Sequence, residues 1–165
     1  MKKTNKGFSM VELIIVIAIM AILAGALAPA LIKYINKSRI STDIQTGQTI
    51  ATAIQTALSN EAGYDCASTT YGSSTTISTL WGNTDEFAKS VKSTVGGSNA
   101  PKVKSKKCVA GTPSATGGDF TFYVNPVKNE VYVYIGSGTG SLHMVYPTAD
   151  DCLSNDTVAT CAGNH

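Results

Sequence analysis

The chain has 165 residues, a formal net charge of +2 and four cysteines. Beyond a membrane-length apolar segment, the remaining ~130 residues suffice for one modest globular domain with its own core. Lys2, Lys3 and Lys6 supply much of the excess positive charge; from residue 8 onward ten basic residues face eleven acidic ones, which gives no support to specific nucleic-acid binding.

The first element is apolar. Leu13 to Ile32 is a run of twenty residues without a charge. A bilayer core about 30 Å thick needs roughly 20 such residues of helix, so this run can span. The competing reading is a cleaved secretory signal, whose core is usually about 7–15 residues and ends in small residues before the cut. Ala24, Ala26, Ala28 and Ala30 could imitate that ending. Orientation by flanking charge is undecided, because Lys33, Lys37 and Arg39 balance the three lysines of the leader. Pro29 lacks a backbone donor and crowds the carbonyl of Gly25, so residues 25–29 are expected to bend or loosen.

The apolar pattern continues past Lys33. Ile40, Ile44, Gly47, Ala51, Ile54 and Leu58 follow at spacings of three and four, with Ser, Thr and Gln on the other faces. That is one stripe of an amphipathic helix that packs on the chain's own globular part. Helix is expected from Phe8 to about Ala62, stopped by Gly63. At 1.5 Å per residue this makes a rod of roughly 80 Å.

Residues 64–82 are rich in Ser, Thr and Gly and read as loop. Asn83 is expected to cap a short helix with Asp85 and Glu86 in its first turn. Phe87, Val91 and Val95 give it a buried face near Trp81, and Gly96-Gly97 ends it. Pro101 to Val109 reads as an edge strand, with Val103 alternating against Lys102, Lys104, Lys106 and Lys107. Two clear strands follow, Asp119 to Asn125 and Glu130 to Ile135, joined by a hairpin over 125–129. Phe120, Phe122, Val124, Val131, Val133 and Ile135 should cover the helix stripe, with Tyr123, Tyr132 and Tyr134 facing outward. Leu142 to Tyr146 reads as a third strand, and the stretch from Thr148 as an acidic, irregular end. The fold class is therefore α+β: a long N-terminal helix whose second half packs on a small antiparallel sheet.

No catalytic constellation stands out. His143, in a strand, is expected to be partly exposed; neither it nor His165 has metal-ligand spacing. Gly136 to Gly140 lacks the Lys-Ser/Thr of a phosphate loop. Asp150, Asp151, Asn155 and Asp156 could ligate calcium but do not fit EF-hand spacing, so a solvated acidic loop is preferred. No metal and no cofactor is expected. Cys66, Cys108, Cys152 and Cys161 all follow the apolar segment, and none forms a CxxC pair, which argues against zinc. An even count in an exported domain favours disulfides. Three pairings are possible; Cys66–Cys108 with Cys152–Cys161 is preferred, the second closing a short C-terminal loop.

Glu12 is the unusual residue. A carboxylate in hydrocarbon costs on the order of 3 kcal/mol unless paired or protonated. Either it sits near the interface and favours its own helix N-terminus, or it meets a cation at the same depth. Cleavage after Gly7 would create that cation, the α-amino group of Phe8.

The N-terminal sequence Lys-Gly-Phe-Ser-Met-Val-Glu-Leu, followed by the apolar run with Pro29, resembles type IV pilins and the related pseudopilins. The likeness is close over residues 3–40; beyond them only the order of elements agrees. Ser9 and Met10 stand where that family often has Thr-Leu. The resemblance implies a leader, residues 1–7; a transmembrane and filament-core half of the helix, residues 8–33; and a globular head, residues 34–165. It implies that a prepilin peptidase cuts between Gly7 and Phe8 and methylates the Phe8 amine. Glu12 then pairs with the Phe8 amine of an adjacent subunit, with the kink at Gly25 and Pro29. Cys152–Cys161 resembles a disulfide-bounded C-terminal loop; Cys66–Cys108 has no firm counterpart.

The implied function is structural and not enzymatic: a subunit that polymerises into a surface fibre for adhesion, motility or DNA uptake. Implied partners are copies of itself, the peptidase, an assembly platform, minor pilins and the cytoplasmic membrane. The head would lie outside that membrane before assembly, and the protein in an extracellular pilus afterwards. A pseudopilin of a secretion or competence system is the near alternative. A membrane-anchored binding or enzymatic domain that never polymerises is the distant one.

Overall fold

A computed structural model describes residues 7–105, 118–136, 143–149 and 153. The chain divides into two compact units, Met1–Asn36 and Lys37–His165. Helix α1, Met10–Leu58, contributes its first part to one unit and its second part to the other. The first part is an apolar helix with no described partner inside the chain, and it continues through Gly25 and Pro29. It is long and apolar enough to cross a membrane: its most apolar stretch has a mean hydropathy of 2.7 and none of it is buried.

The second unit contains the core. Gly47, Ile50, Ala51, Ile54, Ala57 and Leu58 of α1 are buried, and Ile40 and Ile44 are half-buried at the edge of the same cluster. The expected stripe is therefore the buried face. The opposite face stays helical without charges. Thr42, Thr46, Thr49, Thr52 and Thr56 each donate their hydroxyl to the carbonyl four residues earlier, which satisfies the side chain locally.

α1 stops at Leu58, short of the expected Ala62. Asn60 turns the chain and caps a second helix, α2 (Glu61–Thr70), its side chain accepting from the Ala62 N–H at 3.2 Å. Gly63 is thus inside a helix and does not end one. Its role is close approach: a Cβ there would collide with the Ala57 carbonyl oxygen at the end of α1.

The segment read as loop over 64–82 is mostly ordered. It holds the rest of α2, a two-residue strand β1 (Thr75–Thr76) and a short helix α3 (Ile77–Gly82). Ser and Thr were misleading here, because their preference for turns also makes them caps: Thr76 caps α3 by accepting from the Thr79 N–H. Helix α4 (Glu86–Val95) is capped by Asp85, whose side chain accepts from the Ala88 N–H, and not by Asn83. Asn83 closes α3 instead. Gly96, at φ +75°, ends α4 as expected.

Strands β2 (Phe120–Asn125), β3 (Glu130–Ile135) and β4 (His143–Tyr146) complete an antiparallel sheet in the order β1-β2-β3-β4. Phe122 pairs with Val133 and Val124 with Val131, so the expected apolar faces point the same way. They meet α1 in one core, with Tyr71, Phe87 and Leu80 from the helical layer. Tyr123, Tyr132 and Tyr134 lie half-buried on the other face. His143 does not match its expected exposure. It pairs with Ile135 in the inward register and is 5% exposed.

Of the expected strand Pro101 to Val109, residues 101–105 are not strand, and residues 106–109 lie outside the described residues. Val103 is buried and the lysines beside it are exposed, so the alternation is correct. The backbone donors go elsewhere. The N–H groups of Lys104 and Ser105 donate to the Asp43 carboxylate at 2.9 and 2.8 Å, and the Val103 N–H donates to the Gly118 carbonyl.

Candidate assembly site

Gly7, Phe8 and Ser9 precede the first turn of α1 and are all exposed, Phe8 by 84%. Met10, Val11 and Glu12 form that turn, which leaves the first amides of the helix without internal partners. One amide outside it is satisfied by the chain itself: the Ser9 N–H donates to Glu12 Oε2 at 3.0 Å. Ser at the cap with Glu three residues on is the spacing that lets the acid reach back to the cap's own amide. In the single chain, Glu12 is therefore a helix-terminus carboxylate, the first of the two readings of this residue. The Ser-x-x-Glu spacing is present in the sequence, and the structure gives it its capping geometry.

Glu12 stands at the head of an unpartnered apolar surface. Leu13, Ile14, Ile15, Ile17, Ile19, Met20, Ile22, Leu23, Leu27, Leu31 and Ile32 are all more than half exposed. A soluble monomer rarely presents so large a continuous apolar area. Nothing lies within 4 Å of a Cβ placed on Gly25, so no described part of the chain packs there. Pro29 sits inside the helix.

The other expected sites are scattered. Cys66 is half-buried on α2 and has no disulfide partner among the described residues. Cys108, Cys152 and Cys161, and with them both preferred pairings, lie outside the described residues, as do Asp150, Asp151, Asn155 and Asp156. Among the described residues no group of three or more His, Cys, Asp or Glu side chains is placed to hold a metal.

Two polar clusters escaped the sequence reading, and both serve the fold of the second unit. Asp43, 1% exposed, clamps residues 104–105 to α1. The buried Tyr71 hydroxyl donates to Asp85 Oδ2 at 2.6 Å and accepts from Asn83 Nδ2 at 2.7 Å. Burial pushes this phenol up to about 12, and its bond to Asp85 adds to the effect. The one available signal for Asp43 was its isolation, since no other charge occurs between Arg39 and Glu61.

A long apolar N-terminal helix followed by a small antiparallel sheet agrees with the type IV pilin fold. Residues 2–28 match the prokaryotic N-terminal methylation motif. Two type IV major fimbrial proteins FimA of Dichelobacter nodosus are similar to this chain. One is 44% identical over 68 residues, covering 40% of this chain and 43% of the relative. The other is 46% identical over 59 residues, covering 35% and 36%. The matches thus span less than half the length of these relatives. No solved structure matches the chain. The motif and these fimbrial relatives make the N-terminal part of the chain similar to type IV pilins.

Proposed function

We propose that this protein is the structural subunit of a type IV pilus and not an enzyme. The carrying observation is the exposed apolar half of α1 with Glu12 at its head, beside the exposed Gly7–Phe8 bond. A prepilin peptidase hydrolyses that bond, releases residues 1–7 and frees the Phe8 amine, which is then methylated. Until assembly the apolar half is stored in the cytoplasmic membrane, with residues 34–165 outside. On assembly, with the platform and minor pilins, it leaves lipid for copies of itself. Burial of apolar surface at about 25 cal/mol per Å² holds the fibre together in water, and a repeated contact that does not close gives an open helical polymer.

Glu12 acts twice in this scheme. Oε2 holds the Ser9 amide of its own chain, and the remaining oxygen accepts the Phe8 amine of a neighbour. The ion pair sets register more than it adds strength. Gly25 and Pro29 supply the weak point where the helix kinks. Cys152–Cys161 closes the C-terminal loop of the head, and Cys66–Cys108 is the companion pairing.

The test combines the intact mass of the mature protein with electron microscopy of cells that express it. The expected mass begins at a methylated Phe8, and the expected fibre is labelled along its length. Glu12→Val should leave the subunit in the membrane and abolish or sharply reduce fibres. Normal fibres from that variant would contradict the pairing, and an intact Met1 on the mature protein would sink the whole reading.

A further inference from the structure

The apolar part of α1 ends in a band of cations. Between Glu12 and Asp43 the charged residues are Lys33, Lys37 and Arg39 and no others. All three are exposed, and Tyr34 beside them is 73% exposed. The two ion pairs among the described residues, Lys89–Glu86 and Lys102–Asp119, involve none of them. The nearest acid, Asp43, is buried with both oxygens committed to the amides of Lys104 and Ser105. The band therefore faces its surroundings without a counter-charge from this stretch of helix.

We propose that Lys33, Tyr34, Lys37 and Arg39 form an anchor for anionic phospholipid headgroups at this end of the membrane span. The inference rests on the membrane-spanning reading of α1 and goes beyond the assembly role. Lys33 follows directly on the last apolar residue of the span. Six residues of helix separate it from Arg39, about 9 Å along the axis, close to the roughly 5–8 Å depth of one headgroup layer. Each Cα–Cβ bond of a helix tilts toward its N-terminus, so the long side chains at 37 and 39 lean back toward the lipid. Tyr is a residue whose apolar ring and hydroxyl suit that layer.

The leader changes the meaning of the band. With residues 1–7 in place, three lysines hold the opposite end of the span and match the band charge for charge. Once they are removed, what remains at that end is one amine and the Glu12 carboxylate, which cancel. The processed subunit is then held electrostatically at the Lys33 end alone. Its other end has lost the three charges that would be most costly to draw through hydrocarbon.

The test uses full-length protein in nanodiscs of equal phosphatidylcholine and phosphatidylglycerol, read as the ratio of the two lipids retained in native mass spectrometry. To isolate the band, the leader is neutralised in every sample by K2Q/K3Q/K6Q. Each cation near an anionic leaflet is worth roughly fivefold, so phosphatidylglycerol should be enriched by up to about fivefold over phosphatidylcholine among the lipids retained at the band. Adding K33Q/K37Q/R39Q should bring the ratio near unity, and the charge-keeping K33R/K37R/R39K should retain it. Prior incubation in 500 mM rather than 50 mM NaCl should lower the enrichment.

Equal enrichment with and without the three cations overturns the anchor. So does a loss of enrichment in the charge-keeping variant. A third contrary result is a lipid ratio near unity throughout with fibres lost in K33Q/K37Q/R39Q, which would assign the cations to acidic groups of a neighbouring subunit. The readout needs neither cleavage nor polymerisation, so lipid enrichment in a chain that is never cut would retain the anchor while refuting the pilus subunit.

Discussion

The two halves of α1 have the same secondary structure and opposite circumstances. Residues 13–32 are apolar on every side and exposed on every side. From Asp43 onward one face is buried against the sheet and the other is covered by threonine hydroxyls bonded to the helix's own carbonyls. A helix that is apolar all round belongs in lipid or in a core. The second half has its core within this chain. The first half has none here, which is what a membrane or a stack of identical subunits would supply. Substitutions should therefore act on different properties in the two halves.

The largest expected contrast is between core and span. Phe122→Ala removes a ring that packs 6.3 Å from Phe87 and 6.0 Å from Tyr71. It should cost about 3–5 kcal/mol in urea unfolding of the second unit. Leu23→Ala, made in the exposed half, should leave that unfolding within about 0.5 kcal/mol. A large effect of Leu23→Ala on the head would break the comparison.

Asp43→Ala comes next. It leaves the buried amides of Lys104 and Ser105 without their acceptor, for an expected loss of about 2–4 kcal/mol. Hydrogen exchange of those two amides should rise more than that of β2 or β3. Uniform exchange across the sheet would show that the clamp is not local.

Gly47→Ala should destabilise by about 1–2 kcal/mol. A Cβ at this position would lie 2.6 Å from Val145 Cγ1, a fully buried side chain. Such overpacking typically costs about 1–3 kcal/mol, and the better helix propensity of Ala returns up to about 1 kcal/mol. The equivalent Gly25→Ala meets nothing within 4 Å and should not destabilise the head. Thermal melts of the two variants, side by side, measure the difference between the packed and the open half.

Tyr71→Phe gives the smallest effect, about 1 kcal/mol at neutral pH, and the clearest pH signature. The folded phenol ionises at about 12, above its ordinary value of 10.0. The neutral form is the one the fold favours, so its contribution is complete below pH 10. It fades as the pH rises from 10 toward 12, where the unfolded chain ionises first. The stability gap between wild type and Tyr71→Phe should be constant up to pH 10 and narrow above it. A gap that widens above pH 10 would show that the hydroxyl is not held by Asp85 and Asn83.

Much of this was legible before any coordinates. Periodicity located the buried stripe Gly47, Ala51, Ile54 and Leu58, and strict alternation located β2 and β3 with their faces. Both signals come from many residues agreeing on one face, so they survive local exceptions. The failures share a different cause. Ser, Thr and Gly mark 64–82 as loop, yet Thr76 within it is a cap, as are Asn60 before it and Asp85 after it, and a cap predicts a turn and a helix equally until its amide partner is known. Residues 101–105 alternate like a strand, yet the amides of Lys104 and Ser105 go to Asp43, some sixty positions earlier in the chain. His143 is expected to be partly exposed and is buried instead, because its own segment does not say which face of β4 points inward.

The sequence alone determined the apolar span, the Gly7–Phe8 junction with Glu12 beyond it, the likeness of the N-terminal part to type IV pilins and the α+β class. These depend on composition and short-range spacing, which a linear chain carries in full. Only the tertiary structure decided that α1 ends at Leu58 and that Asp43 is a clamp. It also decided that Gly47 is required by Val145 and that Tyr71 is locked between Asp85 and Asn83. Each of these depends on which distant group arrives at hydrogen-bonding or van der Waals distance, and that is fixed only when the sheet closes over the helix.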